Sequence, residues 1–258
     1  MSHLCEDRPH GSGLWHKGAA RSSAYPPLES GRVRTRSPRI DYPCPGACSR
    51  APAHMTTRHL DLGCGRTPRN PFQRDEVFAI DLALPEGVDP ARFAAVNLNV
   101  APIPYPQAYF DSVSAYDFLE HVPRVLSSAD GRTTVLPFVQ LINEIWRVLV
   151  PGGRFYAITP AVPSLEAFSD PTHVNYLTLH THDYFCGDAP LGRAYGFVGR
   201  FELRRSERAL LPEDFVPDTR LGWARAAKKA IRGARGRLTH LVWDFVAVKA
   251  GESGGAAR

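Results

Sequence analysis

Short apolar runs recur along the chain from residue 58 onward, separated by longer polar or amphipathic stretches. Runs of this length, rich in branched and aromatic residues, are typical of buried β-strands. They predict seven strands, at residues 58–62, 77–80, 93–98, 112–115, 154–159, 201–205 and 241–249. Because strands that alternate with helices form parallel sheets, the pattern predicts an α/β fold with helices on both faces of a mostly parallel sheet.

The clearest helix is predicted over residues 135–150. Its apolar residues recur at intervals of three and four and therefore share one face: Phe138, Leu141, Ile142, Ile145, Val148 and Leu149. Pro137 lies near its start, where a missing N–H costs little, and Pro151 with the two glycines that follow ends it.

Residues 1–54 differ from the rest because they are rich in Pro, Gly, Ser and Arg and lack helical or strand periodicity. We expect a disordered extension or an over-extended reading frame whose natural start is Met55; an Arg- and Ser-rich targeting arm is the alternative. The folded domain is expected over residues 55–250, with a flexible tail at 251–258. The first residues lack the apolar core of a signal peptide, so a cytoplasmic location is predicted.

The net charge of +5 is unevenly distributed. Residues 1–54 hold eight basic and four acidic residues, and the remainder holds 23 basic and 22 acidic ones, so nucleic-acid binding by the folded part is disfavoured. Residues 220–237 contain seven Lys or Arg and no acid. This basic insertion is a solvated helix face, a peripheral membrane contact or an RNA contact, and its apolar stripe would comprise Trp223, Ala226, Ala227 and Ile231.

The first predicted strand ends in the turn Asp61-Leu62-Gly63-Cys64-Gly65. Glycines allow the backbone to turn tightly and to approach a ligand, and ligands of open α/β sheets bind at the carboxyl ends of strands. A dinucleotide fingerprint needs a small residue at position 68, which is Pro68, so a dehydrogenase is disfavoured. Asp81 ends the second strand, where a carboxylate can accept both hydroxyls of a ribose.

These segments resemble the class I S-adenosylmethionine-dependent methyltransferase family. The glycine turn resembles its first motif, and Asp81 stands at the place of its ribose-binding acid. Segments 103–106, 109–111, 119–122 and 147–153 resemble later motifs in the family's order. Residues 68–71, 114–118, 143–145 and 170–175 resemble a bacterial subgroup, some of whose members are associated with the synthesis of cell-surface polysaccharides.

The resemblance implies a Rossmann-like, seven-stranded, mostly parallel sheet with an antiparallel last strand, and S-adenosyl-L-methionine as the cofactor. It also implies a first helix between Gly65 and Val77, which here would be short and would contain Pro68 and Pro71. The residues implied to bind it are Asp61, Gly63, Gly65 and Asp81, with Asn97, Leu98, Tyr116 and Asp117 as secondary candidates. Asn97 or Asn99 stands where the family often has an acid near the adenine, and an amide can still bond the adenine amino group.

The acceptor is expected to be a small molecule or a saccharide, methylated on oxygen or nitrogen. His173 and His121 are the candidate bases because histidine accepts protons at neutral pH, and Asp170 and Asn175 are expected to accompany His173 at the acceptor. The alternative for His121 is a structural hydrogen bond at a helix start, and for His173 a simple turn. A non-catalytic cofactor-binding scaffold and an RNA methyltransferase remain the alternative functions.

No metal site is predicted. His173, His180 and His182 with Asp183 lack the spacing of four residues that places two ligands on one helix face. Cys64 is expected to be a packing residue beside the glycines, and Cys44 and Cys48 lack a third cysteine at position 51.

Overall fold

The computed structural model describes residues 55–128, 130–217 and 222–249. The predicted N-terminal extension and C-terminal tail lie outside the described residues. None of the helices in these ranges is long and apolar enough to span a membrane.

A single seven-stranded sheet forms the centre of the fold. Its strands are β1 (Arg58–Leu62), β2 (Glu76–Asp81), β3 (Phe93–Ala95), β4 (Phe110–Tyr116), β7 (Leu149–Pro160), β8 (Phe201–Arg208) and β9 (His240–Ala247). They lie in the order β3-β2-β1-β4-β7-β9-β8, and a separate two-stranded ribbon pairs β5 (Leu126–Ser127) with β6 (Thr134–Val135). Within the seven-stranded sheet, neighbouring strands are parallel except at β9, which is antiparallel to both β7 and β8. The Rossmann-like fold with an antiparallel last strand is confirmed.

The predicted amphipathic helix is α1 (Pro137–Val148). Its apolar stripe is buried against the sheet with Val113 and Ala115 of β4 and with Phe155 and Ala157 of β7. The helix ends where Leu149 adopts extended backbone and begins β7. Gly153 permits the close return of the chain, because a Cβ there would lie 2.9 Å from the carbonyl oxygen of Val150.

Successive residues of a strand point to opposite faces, so Tyr116, Tyr156 and Ile158 lie on the other side of the sheet. There they form a smaller apolar cluster, which is covered by Phe72 and Leu211. The remaining helices are the four-residue α2 (Glu166–Ser169) and α3 (Trp223–Ala234). Helix α3 belongs to this second side, since Arg232 donates to the carbonyl oxygen of Leu211 at 3.4 Å.

The short helix expected between Gly65 and Val77 is wrong, because residues 63–75 form turns and extended chain. Pro68 and Pro71 lack the N–H groups that a helix needs, and side chains bond the backbone instead. Asp61 Oδ2 accepts from the Arg69 N–H at 2.8 Å, and Asn70 Oδ1 accepts from the Arg74 N–H at 2.9 Å. The segment therefore passes over the sheet as an ordered loop that leaves the ends of β1 and β2 accessible.

Candidate functional site

The turn after β1 depends on two glycines with left-handed backbone. Gly63 has φ of +62° and Gly65 has φ of +57°. A Cβ at Gly63 would lie 2.6 Å from Cδ2 of Phe118, whereas a Cβ at Gly65 would meet nothing within 4 Å. The N–H of Gly63 donates to the Ile80 carbonyl at 2.9 Å, which ties the turn to the end of β2. Gly63 is thus required both by its close packing against Phe118 and by its left-handed backbone conformation, and Gly65 by its backbone conformation alone.

Asp81 is held in place at the end of β2 by two backbone N–H groups. Its Oδ2 accepts from Gly65 at 2.8 Å and its Oδ1 accepts from Leu82 at 2.7 Å. A carboxylate oxygen has two lone-pair positions, so each oxygen retains one for a ligand. The carboxylate is therefore oriented to accept a pair of neighbouring hydroxyls.

A cavity of about 300 Å³ opens beside Asp81 at the carboxyl ends of the strands. Its lining includes both Asn97 and Leu98, with Gly63 and Phe118 opposite. Leu98 is buried, and Asn97 is exposed with its Oδ1 accepting from the Asn99 N–H at 3.0 Å. An apolar floor with an amide at its rim suits a flat heterocycle.

A second cavity of about 450 Å³ lies on the other side of the glycine turn and shares Gly63 and Asp117 with the first. Tyr116 lines it, and the Arg69 guanidinium lies 4.5 Å from the centre of the Tyr116 ring. Asp117 has φ of +48°, an unusual backbone for a residue other than glycine. Such strained positions are often found at binding sites.

Asp61, beneath this turn, ends a buried chain of hydrogen bonds whose direction is fixed at the carboxylate. Ser114 Oγ donates its proton to Asp61 Oδ1 at 2.6 Å, so it accepts from His59 Nε2 at 2.9 Å. A neutral imidazole carries one proton, so His59 Nδ1 accepts from the Ser112 hydroxyl at 2.9 Å, and Ser112 Oγ accepts from Arg74 Nε at 3.3 Å. The chain runs across β1 and β4 and orients the Asp61 carboxylate.

Burial determines the pKa values of His59 and Asp61, the two ionisable groups within this chain of hydrogen bonds. It lowers the pKa of His59 to about 3, with a further contribution from the positive charge of Arg74. It raises the pKa of Asp61 to about 6, against the opposing hydrogen bonds from Ser114 and Arg69. His59 is therefore neutral in the folded protein. Cys64 is also held uncharged, because burial raises its pKa to about 11, which agrees with a packing residue rather than a nucleophile.

On the opposite side of the first cavity, His121 approaches His173 and Glu120. The imidazole rings of the two histidines are T-shaped with centroids 4.8 Å apart, and His173 Nε2 lies 4.0 Å from Glu120 Oε1. Glu120 is 1% exposed, and its Oε2 accepts from Thr159 Oγ1 at 2.9 Å. Burial raises the pKa of Glu120 to about 7. The sequence predicted the two histidines but not the carboxyl group between them.

Asp170 and Asn175 lie near His173 but hold the loop together. Asp170 Oδ1 accepts from the N–H and the hydroxyl of Thr172 at 2.8 and 2.6 Å, and these bonds hold the pKa of Asp170 below its usual range. Asn175 is 2% exposed; its Nδ2 donates to the Leu119 carbonyl at 3.2 Å and its Oδ1 accepts from Arg124 at 2.7 Å. The polar atoms of both residues are therefore engaged in hydrogen bonds within the protein. An acceptor that contacted Asp170 or Asn175, as predicted, would have to share these atoms.

A further cavity, of about 740 Å³, includes Asn175 in its lining. Aromatic side chains dominate the lining: Phe138, Phe168, Tyr176, Tyr184, Phe185 and Tyr195. The turn Leu119–His121 lies between this cavity and the first one. Asn175, which lines this cavity, donates to the backbone of the turn, and His121 lines the first cavity. His180 and His182 lie on a separate surface turn, where His182 Nδ1 is 2.7 Å from the Leu179 carbonyl oxygen.

The sequence model of a family described as "Methyltransferase domain" matches residues 60–157. No curated protein matches the chain in sequence.

Several solved structures are similar in fold. One is the 1,6-didemethyltoxoflavin-N1-methyltransferase of Burkholderia thailandensis with bound 1,6-didemethyltoxoflavin and S-adenosylhomocysteine, at 19% identity and a TM-score of 0.44, covering 74% of this chain and 71% of that one. Another is an S-adenosylmethionine-dependent methyltransferase of Archaeoglobus fulgidus, at 13% identity and a TM-score of 0.41, covering 74% and 86%. A third, from Mesorhizobium loti, has 16% identity and a TM-score of 0.42, covering 73% and 90%.

The family match spans β1 to β7 and so includes the glycine turn, Asp81 and the strand that precedes Asp117. The chain therefore contains a methyltransferase domain, and its methyl donor is S-adenosylmethionine.

Proposed function

We propose that this methyltransferase transfers a methyl group to an oxygen or nitrogen of a small molecule or a saccharide. The observation that carries the proposal is the arrangement of three cavities around one turn of chain. Two of them share Gly63 and Asp117, and the third, lined by aromatic rings, adjoins the turn that carries Glu120 and His121.

The residues at the first two cavities fit the cofactor. Asp81 would accept the ribose hydroxyls, because its two oxygens are already oriented by Gly65 and Leu82. Asn97 and Leu98 would contact the adenine in the cavity of about 300 Å³. The cofactor, when bound, supplies a methyl group on a positively charged sulfur, which is the electrophile of the reaction.

The second cavity would hold the methionine end. Tyr116 and Asp117 line it, and Asp61 holds the neighbouring loop by accepting from the Arg69 N–H at 2.8 Å. Arg66 and Arg69 both line this cavity, and Arg69, whose guanidinium lies over the Tyr116 ring, would pair with the carboxylate of the methionine. The sequence motif that contains Arg69 was noticed, but a role for its side chain was not predicted.

The acceptor would bind in the aromatic cavity. Its tyrosine hydroxyls, together with Thr178, Thr181 and Asn175, offer polar contacts at the edges of apolar rings. Aromatic faces with hydroxyl groups at their rims suit a sugar or a small heterocycle, and they suit a long anionic strand less well. His173 and His121, with Asp170 and Asn175 around them, are the groups that would orient the acceptor and take its proton.

The described part of α3 gives little support to an RNA substrate. Lys228 bonds Glu213 at 2.6 Å, and Lys229 lies 2.9 Å from Glu207. These pairs neutralise part of the positive charge within the protein itself. An RNA methyltransferase would instead need that charge for phosphates.

The test is calorimetric titration of S-adenosylhomocysteine into the full chain, followed by a radiolabelled methyl-transfer screen of small molecules and saccharides. Asp81→Asn should weaken binding about 10- to 100-fold, because it removes the charge from two hydrogen bonds. Glu202→Gln, the same change at an exposed position on β8, is the matched control and should bind normally.

If the parent and Asp81→Asn bind S-adenosylhomocysteine equally, Asp81 does not accept the ribose hydroxyls and that assignment is rejected. Binding without any methylated product would favour a non-catalytic scaffold. Steeply salt-dependent binding of RNA, lost when the charges of α3 are removed, would favour the RNA methyltransferase instead.

A further inference from the structure

Three potential metal-binding side chains converge beside the first cavity. The ligand atoms of Glu120, His121 and His173 all lie within 4.8 Å of one another. In the described part of the chain, they are the one group of three or more His, Cys, Asp or Glu side chains placed this closely. Their convergence was missed from the sequence because Thr172 and Asp170, which orient His121, lie about 50 residues further along the chain.

The hydrogen bonds of the two histidines engage Nδ1 of each ring and leave Nε2 available to a ligand. The Thr172 hydroxyl donates to Asp170, so it accepts the bond from His121 Nδ1 at 3.0 Å. His173 Nδ1 lies 3.3 Å from the carbonyl oxygen of Ala167, which can only accept. In the neutral rings, Nε2 of both therefore carries the lone pair. A histidine whose other nitrogen donates to a carbonyl or a carboxylate-linked hydroxyl is the arrangement that orients metal-binding imidazoles.

Glu120 supplies a buried carboxyl oxygen that has no hydrogen-bond partner among the described residues. Its Oε2 is bonded to Thr159, but its Oε1 is buried and has no hydrogen-bond partner. A buried polar atom without a partner is costly, so its position facing two lone pairs needs an explanation. Two imine nitrogens and a carboxylate oxygen repel one another unless a proton or a cation lies between them.

We propose that Glu120, His121 and His173 form a binding site for a divalent transition-metal ion. Two imidazoles and one carboxylate are a common ligand set for catalytic zinc, and they leave further positions open. Ligand atoms around such an ion are roughly 3.4 Å apart, so the 4.0 Å between His173 Nε2 and Glu120 Oε1 must shorten. His121 is only partly buried, and its ring has room to move toward the other two groups.

The role of the ion rests on the proposed function. An acceptor hydroxyl bound at the open position would have a lowered pKa and would release its proton to water, which leaves the oxygen ready to attack the methyl group. His121 and His173 would then act as ligands rather than as bases. This favours acceptors with a hydroxyl, or two adjacent hydroxyls, over amine acceptors.

Binding is tested without any acceptor. Equilibrium dialysis of the full chain against Zn²⁺ alone should give one tightly bound ion per chain, and Co²⁺ should give a visible absorption band typical of histidine and carboxylate ligands. Glu120→Gln retains the size of the side chain, and His173→Gln removes one imidazole; each should weaken this site about 100-fold or more. His180→Gln, at an exposed histidine outside the group, is the matched control and should bind normally.

S-Adenosylhomocysteine is titrated into the same samples, which shows that each variant is folded and separates this proposal from the previous one. Cofactor binding without zinc binding would overturn the metal site and leave the methyltransferase assignment intact. Zinc binding that is equal in the parent, Glu120→Gln and His173→Gln would also overturn it, because the ion would then be bound elsewhere. Zinc binding lost in both variants supports the site whether or not an acceptor is found.

Discussion

Buried His59 should make the stability of the protein fall in mild acid, and His59→Gln should remove that effect. The imidazole has a pKa of about 3 in the folded protein and 6.5 as its ordinary value. Between these values the unfolded chain takes up a proton that the folded protein refuses. Stability present at pH 7 is therefore lost as the pH falls below 6.5.

The magnitude follows from the two pKa values. One unit of pH below 6.5 costs about 1.4 kcal/mol, so the loss between pH 7 and pH 5 is about 2 kcal/mol. Any folded-state pKa below about 4 gives the same figure, because His59 then stays neutral at pH 5. Asp61 has a raised pKa and titrates in the opposite sense, but it is present in both proteins and cancels from their comparison.

The assay is urea unfolding of the full chain and of His59→Gln at pH 7 and pH 5. The free energy of unfolding of the parent should fall by about 2 kcal/mol more than that of the variant. The loss that the substitution itself causes through Ser112 and Ser114 cancels, because only the change with pH is compared. Parallel pH dependence of the two proteins would refute the reasoning, since it would mean that folded His59 accepts a proton at pH 5.

Three further outcomes follow from the structure. Gly63→Ala should lower the free energy of unfolding by about 2–4 kcal/mol against about 1 kcal/mol for Gly65→Ala, because only the first would also collide with Phe118; equal losses in urea titrations would contradict this. Arg69→Gln should weaken the binding of S-adenosylhomocysteine about 10-fold or more and leave the binding of adenosine unchanged, since adenosine lacks the carboxylate; calorimetry with both ligands decides it, and equal weakening would place Arg69 elsewhere. The exposed Trp223 on α3 should shift its fluorescence to the blue with vesicles of anionic lipid and not with neutral ones; no shift with either would leave α3 as a solvated face.

Local residue patterns predict the parts of the fold that depend on near neighbours along the chain. The stripe from Phe138 to Val148 identifies α1 because a helix repeats every 3.6 residues, and the runs at 58–62 and 112–115 identify the central strands. The predicted third strand at 93–98 is longer than the observed one because the chain turns at Asn97, whose carbonyl accepts from Val100 at 3.1 Å.

Contacts between distant segments could not be obtained in that way. The partners of His59 depend on a register that pairs it with Ser112, 53 residues further along the chain. Glu120 accepts a hydrogen bond from Thr159, which lies 39 residues further along the chain. The residues around each of them show no sequence pattern that would predict this contact. The helix expected after Gly65 failed because the family resemblance was followed over the local evidence of Pro68 and Pro71.

The position of β9 affects how the protein is made. This strand pairs with β7 on one side and β8 on the other, and Val246 pairs with Arg154, which precedes it by about 90 residues. During synthesis, the segment that carries the glycine turn and Asp81 is complete long before β9 exists. Until then, β7 presents an open edge of unpaired backbone groups, the kind of surface that draws nascent chains into aggregates. The cofactor pocket is thus encoded early, while the sheet that holds it rigid is closed only once β9 has been synthesised.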